Sequence, residues 1–95
     1  MKVVKIAVAG TLESSDALIR VSPAEDVDIE INSIVKEQFG EDILKTTNSI
    51  LNDLNIDGVK IIIDDKGALD CVLRARIKAA LSRAIDEKIS WEKLV

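Results

Sequence analysis

Three short stretches near the start of the chain alternate between apolar and polar residues, a pattern typical of β-strands with one buried face. They cover residues 2–9, 17–21 and 27–32. The third, VDIEIN, is the most regular, because Val27, Ile29 and Ile31 are separated by polar residues. Residues 10–16 are predicted to form the loop between the first two strands, and Pro23 is predicted to interrupt the chain before the third.

Further along the chain the apolar residues are spaced by three and four, which indicates amphipathic helices. Ser33 is predicted to cap a short helix that ends at Gly40, and a second helix follows over residues 43–54. Residues 59–63, VKIII, are β-branched apart from the lysine and predict a strand. The longest apolar stripe then predicts a helix over residues 68–85.

The predicted order of elements is therefore β-β-β-α-α-β-α, and it favours an α+β fold. We expect two layers, with a small, mostly antiparallel or mixed sheet packed against helices. The length of 95 residues fits a single domain over residues 1–95, and 47% of the residues are apolar, so a core can form. Trp91 is predicted to hold the mixed C-terminal tail against the rest of the chain.

Charge and composition exclude several kinds of partner. The net charge is −4 and the basic residues are dispersed, whereas nucleic-acid binding needs a clustered cationic surface. Only 2% of the residues are aromatic, so stacking platforms for bases are also lacking. No window of about 20 apolar residues exists, and Lys5 interrupts the short apolar run at the N-terminus. Since Cys71 is the only cysteine, no disulfide can form within the chain, and we expect a cytoplasmic protein that binds neither nucleic acid nor membrane.

Catalytic chemistry is restricted by the residue types that the chain lacks. The sequence has no histidine, the commonest general base and metal ligand. A Ser–His–Asp site cannot form, and one cysteine without histidine excludes a typical zinc site. The segment GTLESSD lacks the second glycine and the lysine of a phosphate-binding loop. We therefore predict no catalytic residue and no metal site.

Two groups of carboxylates allow a functional interpretation, and for each a structural role is favoured. Asp28 and Glu30 share one side of a predicted strand, where a solvated face is more common than an acid–base pair. Asp64, Asp65 and Asp70 are close in sequence but do not match the spacing of a calcium loop. Capping of the last helix by Asp64 or Asp65 is the favoured interpretation.

The last predicted helix carries a cysteine near its start and several basic residues. Cys71 is predicted to be a small core residue, although a helix N-terminus can also activate a thiol. Arg76 and Arg83 are seven residues apart and therefore share one helix face. A solvated polar face and a contact surface for phosphates or an acidic partner fit this pattern about equally well. The basic residues are Arg74, Arg76, Lys78 and Arg83.

The segment between the first two strands holds two adjacent serines between two carboxylates. A carrier protein needs little more than one nucleophilic side chain on an exposed loop of a rigid body. Ser14 offers such a hydroxyl, and Gly10 gives the backbone freedom. Glu13 and Asp16 keep the loop in water and offer contacts to a modifying enzyme. From these residues alone, however, a plain hairpin loop is the better interpretation.

Longer segments of the sequence change this balance. VAGTLESSDALIRVSP resembles the N-terminal segment of the acyl carrier protein (gamma chain) family of citrate lyase, and INSIVKEQFG and DDKGALDCVLRARIKAAL resemble later segments. The resemblance runs from Ala7 to about Ala84. It implies that Ser14 carries covalently attached 2'-(5''-phosphoribosyl)-3'-dephospho-CoA through a phosphodiester, while Ser15 takes a position that is merely small in the family.

The resemblance also implies partners and a division of labour. The terminal thiol of the group would hold an acetyl thioester, the alpha subunit of citrate lyase would exchange acetyl for citryl, and the beta subunit would release oxaloacetate. A prosthetic-group transferase would attach the group. Glu13 and Asp16 are expected to be recognised, and Arg74 and Arg76 to contact the phosphates of the group or another subunit.

Three other functions stay open at this point. The acyl carrier of malonate decarboxylase uses a similar group, and the acyl chain on the thiol distinguishes the two carriers. A non-catalytic interaction module with unmodified Ser14 would be distinguished by its intact mass. An independent enzyme based on carboxylates would turn over a substrate without other subunits.

Overall fold

In the described part of the chain, four strands form one mixed sheet in the order β1-β2-β4-β3, and two helices accompany it. The computed structural model describes residues 2–33 and 36–85. The strands are β1 Ala7–Gly10, β2 Ala17–Ser22, β3 Val27–Ser33 and β4 Val59–Asp65, and the helices are α1 Lys36–Asp53 and α2 Asp70–Ala84. β2 pairs antiparallel with β1 and β4, whereas β3 pairs parallel with β4. The predicted α+β class with a small mixed sheet is confirmed.

The core lies on one face of the sheet, under both helices. Ile19 of β2 is paired with Ile63 of β4, and both side chains are completely buried. Ile77 and Leu81 of α2 are also completely buried, and α2 packs on β1 and β2. Every second residue of a strand points to the same face, and residues four apart in a helix share a face. These spacings place all these aliphatic side chains in one layer.

The opposite face of the sheet is open to solvent and carries several charged side chains. Arg20 Nη2 lies 3.0 Å from Asp64 Oδ2, and Lys60 Nζ lies 3.4 Å from Asp28 Oδ2. Asp28 and Glu30 are both exposed, as the solvated-face interpretation predicts. Each ion pair links two neighbouring strands on the solvent side of the sheet. Such surface pairs contribute little stability, because water and salt screen the charges.

The two predicted helices on either side of Gly40 are wrong, because α1 runs without a break from Lys36 to Asp53. The order is therefore β-β-β-α-β-α. A glycine inside a helix costs only about 1 kcal/mol relative to alanine, which the buried apolar face of α1 outweighs. Ser33 is not a cap, since it ends β3 and its hydroxyl donates to Asp65 Oδ2 at 2.8 Å.

The first strand is shorter than its alternating pattern predicts, since it begins at Ala7 and not at residue 2. The backbone N–H groups of Val4 and Lys5 both donate to the carbonyl of Ala84, and Val3 forms an isolated bridge with Ile85. The N-terminal segment therefore pairs with the end of α2 and not with β2. The predicted contact of Trp91 lies outside the described residues.

Candidate functional site

The loop between β1 and β2 exposes its two serines to solvent. The Asp16 N–H donates to the Glu13 carbonyl at 3.2 Å, which closes a tight turn around Ser14 and Ser15. Ser15 has a φ of 65°, in the left-handed region that a turn of this kind needs. The exposed residues of the loop are Thr11, Leu12, Glu13, Ser14 and Ser15. The Ser14 hydroxyl is therefore reachable at the tip of a defined turn.

The loop begins at a glycine that no other residue can replace without strain. Gly10 has a φ of 95°, and a Cβ at this position would lie 1.8 Å from the Ala17 carbonyl oxygen. A side chain here would also meet Arg76 Cδ at 3.3 Å. The base of the loop is thus narrow because the first residue lacks a side chain.

The loop is joined to the segment between β4 and α2 by two backbone hydrogen bonds. The Ser15 N–H donates to the Lys66 carbonyl at 2.8 Å, and the Lys66 N–H donates to the Asp16 carbonyl at 2.9 Å. These bonds continue the antiparallel pairing of β2 with β4 beyond Ala17 and Asp65. The turn that carries Ser14 is consequently an extension of the sheet.

Asp65 holds the β4–α2 segment in place, and it does so without capping the helix. Its side chain is 2% exposed, and its Oδ1 accepts the N–H of Ala68 at 2.9 Å. The N-cap position of α2 is Leu69, which makes no side-chain cap, so the predicted cap by Asp64 or Asp65 is wrong. The cause is that β4 continues through both aspartates before the chain turns. Within residues 2–33 and 36–85 no group of three or more acidic or cysteine side chains is arranged to hold a metal ion.

Asp16 is the centre of the hydrogen bonds at the loop base. Its Oδ1 accepts the Ala17 N–H at 2.7 Å and Arg76 Nε at 2.9 Å. Its Oδ2 accepts the Thr11 hydroxyl at 2.7 Å and Arg76 Nη2 at 3.0 Å. The Arg76 guanidinium, with Thr11 and the Ala17 N–H, holds the pKa of the Asp16 carboxyl well below its usual range. The same hydrogen bond raises the pKa of Arg76.

The predicted recognition residues therefore differ in accessibility. The side chain of Asp16 is only 13% exposed and that of Arg76 is 40% exposed. Glu13 is exposed, and its N–H donates to the Thr11 hydroxyl at 3.2 Å. Recognition by another protein stays a prediction for all three side chains.

Arg74 lies away from the loop, although it is only two residues from Arg76. Its Nε donates to Asp70 Oδ2 at 2.7 Å, and Asp70 Oδ1 accepts the hydroxyl of Thr46 in α1 at 3.1 Å. The hydrogen bond from Arg74, joined by that from Thr46, lowers the pKa of Asp70 against the opposing effect of burial. Arg74 thereby lines an open cleft of about 500 Å³ between the two helices. The two predicted phosphate contacts are thus on different sides of α2.

The spacing of seven between Arg76 and Arg83 gives both side chains the same direction, as predicted. Arg83 Nη1 donates to the Val8 carbonyl at 2.6 Å, so both arginines reach the β1 side of the molecule. That Arg76 would meet Asp16 was missed, because the two are 60 positions apart in sequence.

Cys71 is exposed, so its predicted core position is wrong. The buried stripe of α2 runs through Leu73, Ile77 and Leu81. Residue 71 lies two positions before the first of these, and two positions along a helix turn a side chain to nearly the opposite face. The cysteine is therefore on the solvent side of α2.

The comparison with protein families gives the class of this molecule. Residues 4–84 match the family model ACP, which is described as malonate decarboxylase delta subunit (MdcD). A chain in the crystal structure of a Pseudomonas malonate decarboxylase hetero-tetramer in complex with malonate has the same fold, with a TM-score of 0.79. The two chains are 17% identical, over 90% of this chain and 89% of the other. Fold and family match together define an acyl carrier protein.

Curated relatives narrow this class. The citrate lyase acyl carrier protein of Haemophilus ducreyi is 59% identical over 95 residues, which is the full length of both chains. The protein of that name from Haemophilus influenzae is 57% identical over 95 residues, also the full length of both. The Yersinia enterocolitica protein is 52% identical over 91 residues, or 94% of each chain. The chain belongs to the family of the citrate lyase acyl carrier proteins.

Membership in this family makes the chain a carrier and not a catalyst. Acyl carrier proteins of the family are non-catalytic subunits that carry a prosthetic group. Neither helix of the described part is long and apolar enough to cross a membrane. The chemical question is therefore which side chain holds the group.

Proposed function

We propose that the chain is the acyl carrier subunit of citrate lyase and that Ser14 is the attachment residue. The observation that carries this proposal is the position of the Ser14 side chain, exposed at the tip of a turn whose backbone is hydrogen-bonded to Lys66, directly after β4. Attachment of a group requires an accessible hydroxyl on a loop with a defined conformation. Identity of 50–59% to citrate lyase acyl carrier proteins over nearly the whole chain supports the choice of complex.

The residues of the loop fit 2'-(5''-phosphoribosyl)-3'-dephospho-CoA as the attached group. A phosphodiester needs one hydroxyl oxygen, and Ser14 offers it on an exposed side chain. During attachment the Ser14 O–H bond is replaced by an O–P bond, while the activated phosphate donor loses its own phosphate leaving group and the hydroxyl proton is released. When bound, the group supplies a terminal thiol that holds the acyl chain as a thioester.

The chain itself then contributes position and exposure. The aliphatic core keeps the sheet rigid, while the loop points its tip away from that core. Tethering raises the effective concentration of the thioester at each enzyme site that the arm can reach. We accordingly propose the alpha and beta subunits of citrate lyase and the prosthetic-group transferase as partners of a single, cytoplasmic carrier domain.

Mass spectrometry of the protein from its own cells under citrate-fermenting growth tests the attachment. We expect a mass increase equal to that of the phosphoribosyl dephospho-CoA group on the Ser14 peptide. The Ser14→Ala variant should lose this increase, and the neighbouring Ser15→Ala variant should keep it. Unmodified Ser14 in cells that contain the transferase would contradict the proposal and favour a non-catalytic interaction module.

The carrier of malonate decarboxylase is the second candidate. The description of the matching family and the fold of the Pseudomonas chain favour it. The acyl chain on the thiol and the subunits that copurify distinguish the two. Acetyl or citryl with alpha and beta lyase subunits supports the first proposal, whereas malonyl with decarboxylase subunits supports the second.

A further inference from the structure

We propose that the ion pair between Asp16 and Arg76 positions Ser14 for attachment of its group, an inference that rests on the function proposed above. In this role both residues act inside the carrier. They differ from the loop tip, which meets the transferase directly. The ion pair would hold the exposed loop in a single conformation.

The geometry of the pair is that of a clamp. Arg76 approaches Asp16 with two nitrogens, Nε at 2.9 Å from Oδ1 and Nη2 at 3.0 Å from Oδ2. Planar, two-point pairing of this kind fixes direction as well as distance. Because Asp16 comes two residues after Ser14, its orientation determines where the turn leaves the sheet.

The side chain of Arg76 also lies against the start of the loop. A Cβ on Gly10 would lie 3.3 Å from Arg76 Cδ, so the aliphatic part of Arg76 passes over Gly10 while its guanidinium holds Asp16. Thr11 completes the closure, because its hydroxyl donates to the same carboxylate at 2.7 Å. Thr11 at the start of the loop and Arg76 of α2 therefore bond to the same carboxylate at the end of the loop.

The support for Arg76 is itself rigid. Its neighbour Ile77 is completely buried in the core, and Leu73, one turn earlier, is 3% exposed. A helix held this firmly transmits a fixed position to the arginine. Ordering a flexible loop when the transferase binds would weaken that binding, and a loop ordered beforehand avoids this loss.

Direct contact with the transferase is the competing role for the same residues. Both oxygens of Asp16 already accept two hydrogen bonds each, and the side chain is 13% exposed. Little of this carboxylate is left for another protein. The geometry therefore favours an internal role for the pair.

A double-mutant cycle on the full-length carrier tests this inference. The variants are Asp16→Asn, Arg76→Met, which keeps the aliphatic part of the side chain, and the combination of both. The probe is attachment of the phosphoribosyl dephospho-CoA group from its activated precursor by the transferase, measured as kcat/KM. The second measurement is hydrogen exchange of the Ser15 amide, which is bonded to Lys66.

A matched control is the ion pair of Arg20 and Asp64, at 3.0 Å on the face of the sheet away from the helices, with side chains 54% and 18% exposed. Arg20→Met and Asp64→Asn should leave attachment and Ser15 exchange unchanged. Thermal unfolding checks that every variant folds. Arg76→Lys keeps the charge with a single-point contact, and we expect it to restore part of the rate that Arg76→Met loses.

We expect each single variant of the clamp to lower kcat/KM by about tenfold and the double variant to lose no more than the worse single one. Exchange of the Ser15 amide should accelerate in all three. Losses that multiply in the double variant, unchanged attachment or an unchanged Ser15 exchange rate would overturn the inference. If wild-type Ser14 is not labelled, the proposed function falls together with it, whereas normal labelling of every variant would overturn the positioning role alone.

Discussion

At the scale of single residues, Gly10 is the position with the least tolerance for a side chain. Its backbone is in the left-handed region and the Ala17 carbonyl occupies the space that a Cβ would need. Gly40, by contrast, lies inside α1 with no positive φ. The two glycines therefore allow opposite predictions for the same substitution.

Gly10→Ala should lower the free energy of unfolding by about 1–3 kcal/mol from backbone strain alone, with a further loss from the contact with Ala17. Gly40→Ala should raise stability by up to about 1 kcal/mol, because alanine is the better helix former. Urea denaturation measures both changes. Equal stability of Gly10→Ala and the wild type would contradict the steric argument.

The roles of some loop residues could be predicted from the sequence, and those of others could not. Ser14 follows from a family resemblance and not from any pattern of spacing, because a serine between acids is common in loops. The two-point contact between Asp16 and Arg76 could not be predicted, since periodicity describes neighbours along one element and these residues are 60 positions apart. The left-handed φ of Ser15 was likewise not predicted, because the sequence does not show which turn the loop forms or that the Ser15 N–H bonds to Lys66.

At the scale of elements, α2 fastens the edge of the sheet as well as the core. Its apolar stripe packs on β1 and β2, and Arg83 covers the Val8 carbonyl on the free side of β1. A strand of four residues with a free edge would otherwise be weakly held. Arg83 thus completes one hydrogen bond that a further strand beside β1 would have made.

Arg83→Ala should accelerate amide exchange in β1 and lower the free energy of unfolding by about 1 kcal/mol, because one hydrogen bond to a charged donor is lost. Ser82→Ala, at the exposed position beside it, should change stability by less than about 0.5 kcal/mol. NMR-detected hydrogen exchange of the β1 amides measures the difference between the two variants. Unchanged exchange in β1 for Arg83→Ala would show that the strand is held without this contact.

The elements themselves were largely predictable, and the errors have identifiable causes. Alternation predicts β2 and β3 because one side of each strand faces the core, whereas β4 is predicted from its β-branched residues. The break at Gly40 fails because packing of α1 outweighs one unfavourable residue. The order of strands in the sheet could not be predicted, since β4 enters between β2 and β3 from a distant part of the chain.

At the scale of the whole molecule, two aspartates make the free energy of unfolding depend on pH. The pKa values of Asp16 and Asp70 lie below the usual range in the folded protein, chiefly because of hydrogen bonds from Arg76 and Arg74. The unfolded chain binds these protons at higher pH than the folded chain does. This stabilisation is therefore fully present above the ordinary aspartate pKa and is lost as pH falls below it.

We expect the free energy of unfolding to decrease as the pH is lowered from about 6 to about 2. Asp16→Asn should be less stable than the wild type at neutral pH and should show a shallower decrease, because one of the two groups no longer titrates. Urea unfolding at a series of pH values measures the slope. An unchanged slope in Asp16→Asn would mean that the carboxylate is not stabilised in the folded state.

The distance along the chain between Asp16 and Arg76 has a consequence for the order of biosynthesis. The loop leaves the ribosome before α2 does, because Arg76, which holds Asp16, is made 60 positions later. A nascent chain therefore displays the serine well before the surface around it exists. A transferase that requires the clamped shape would leave unfinished or misfolded chains without their group, so that loading of the carrier would report on completed folding.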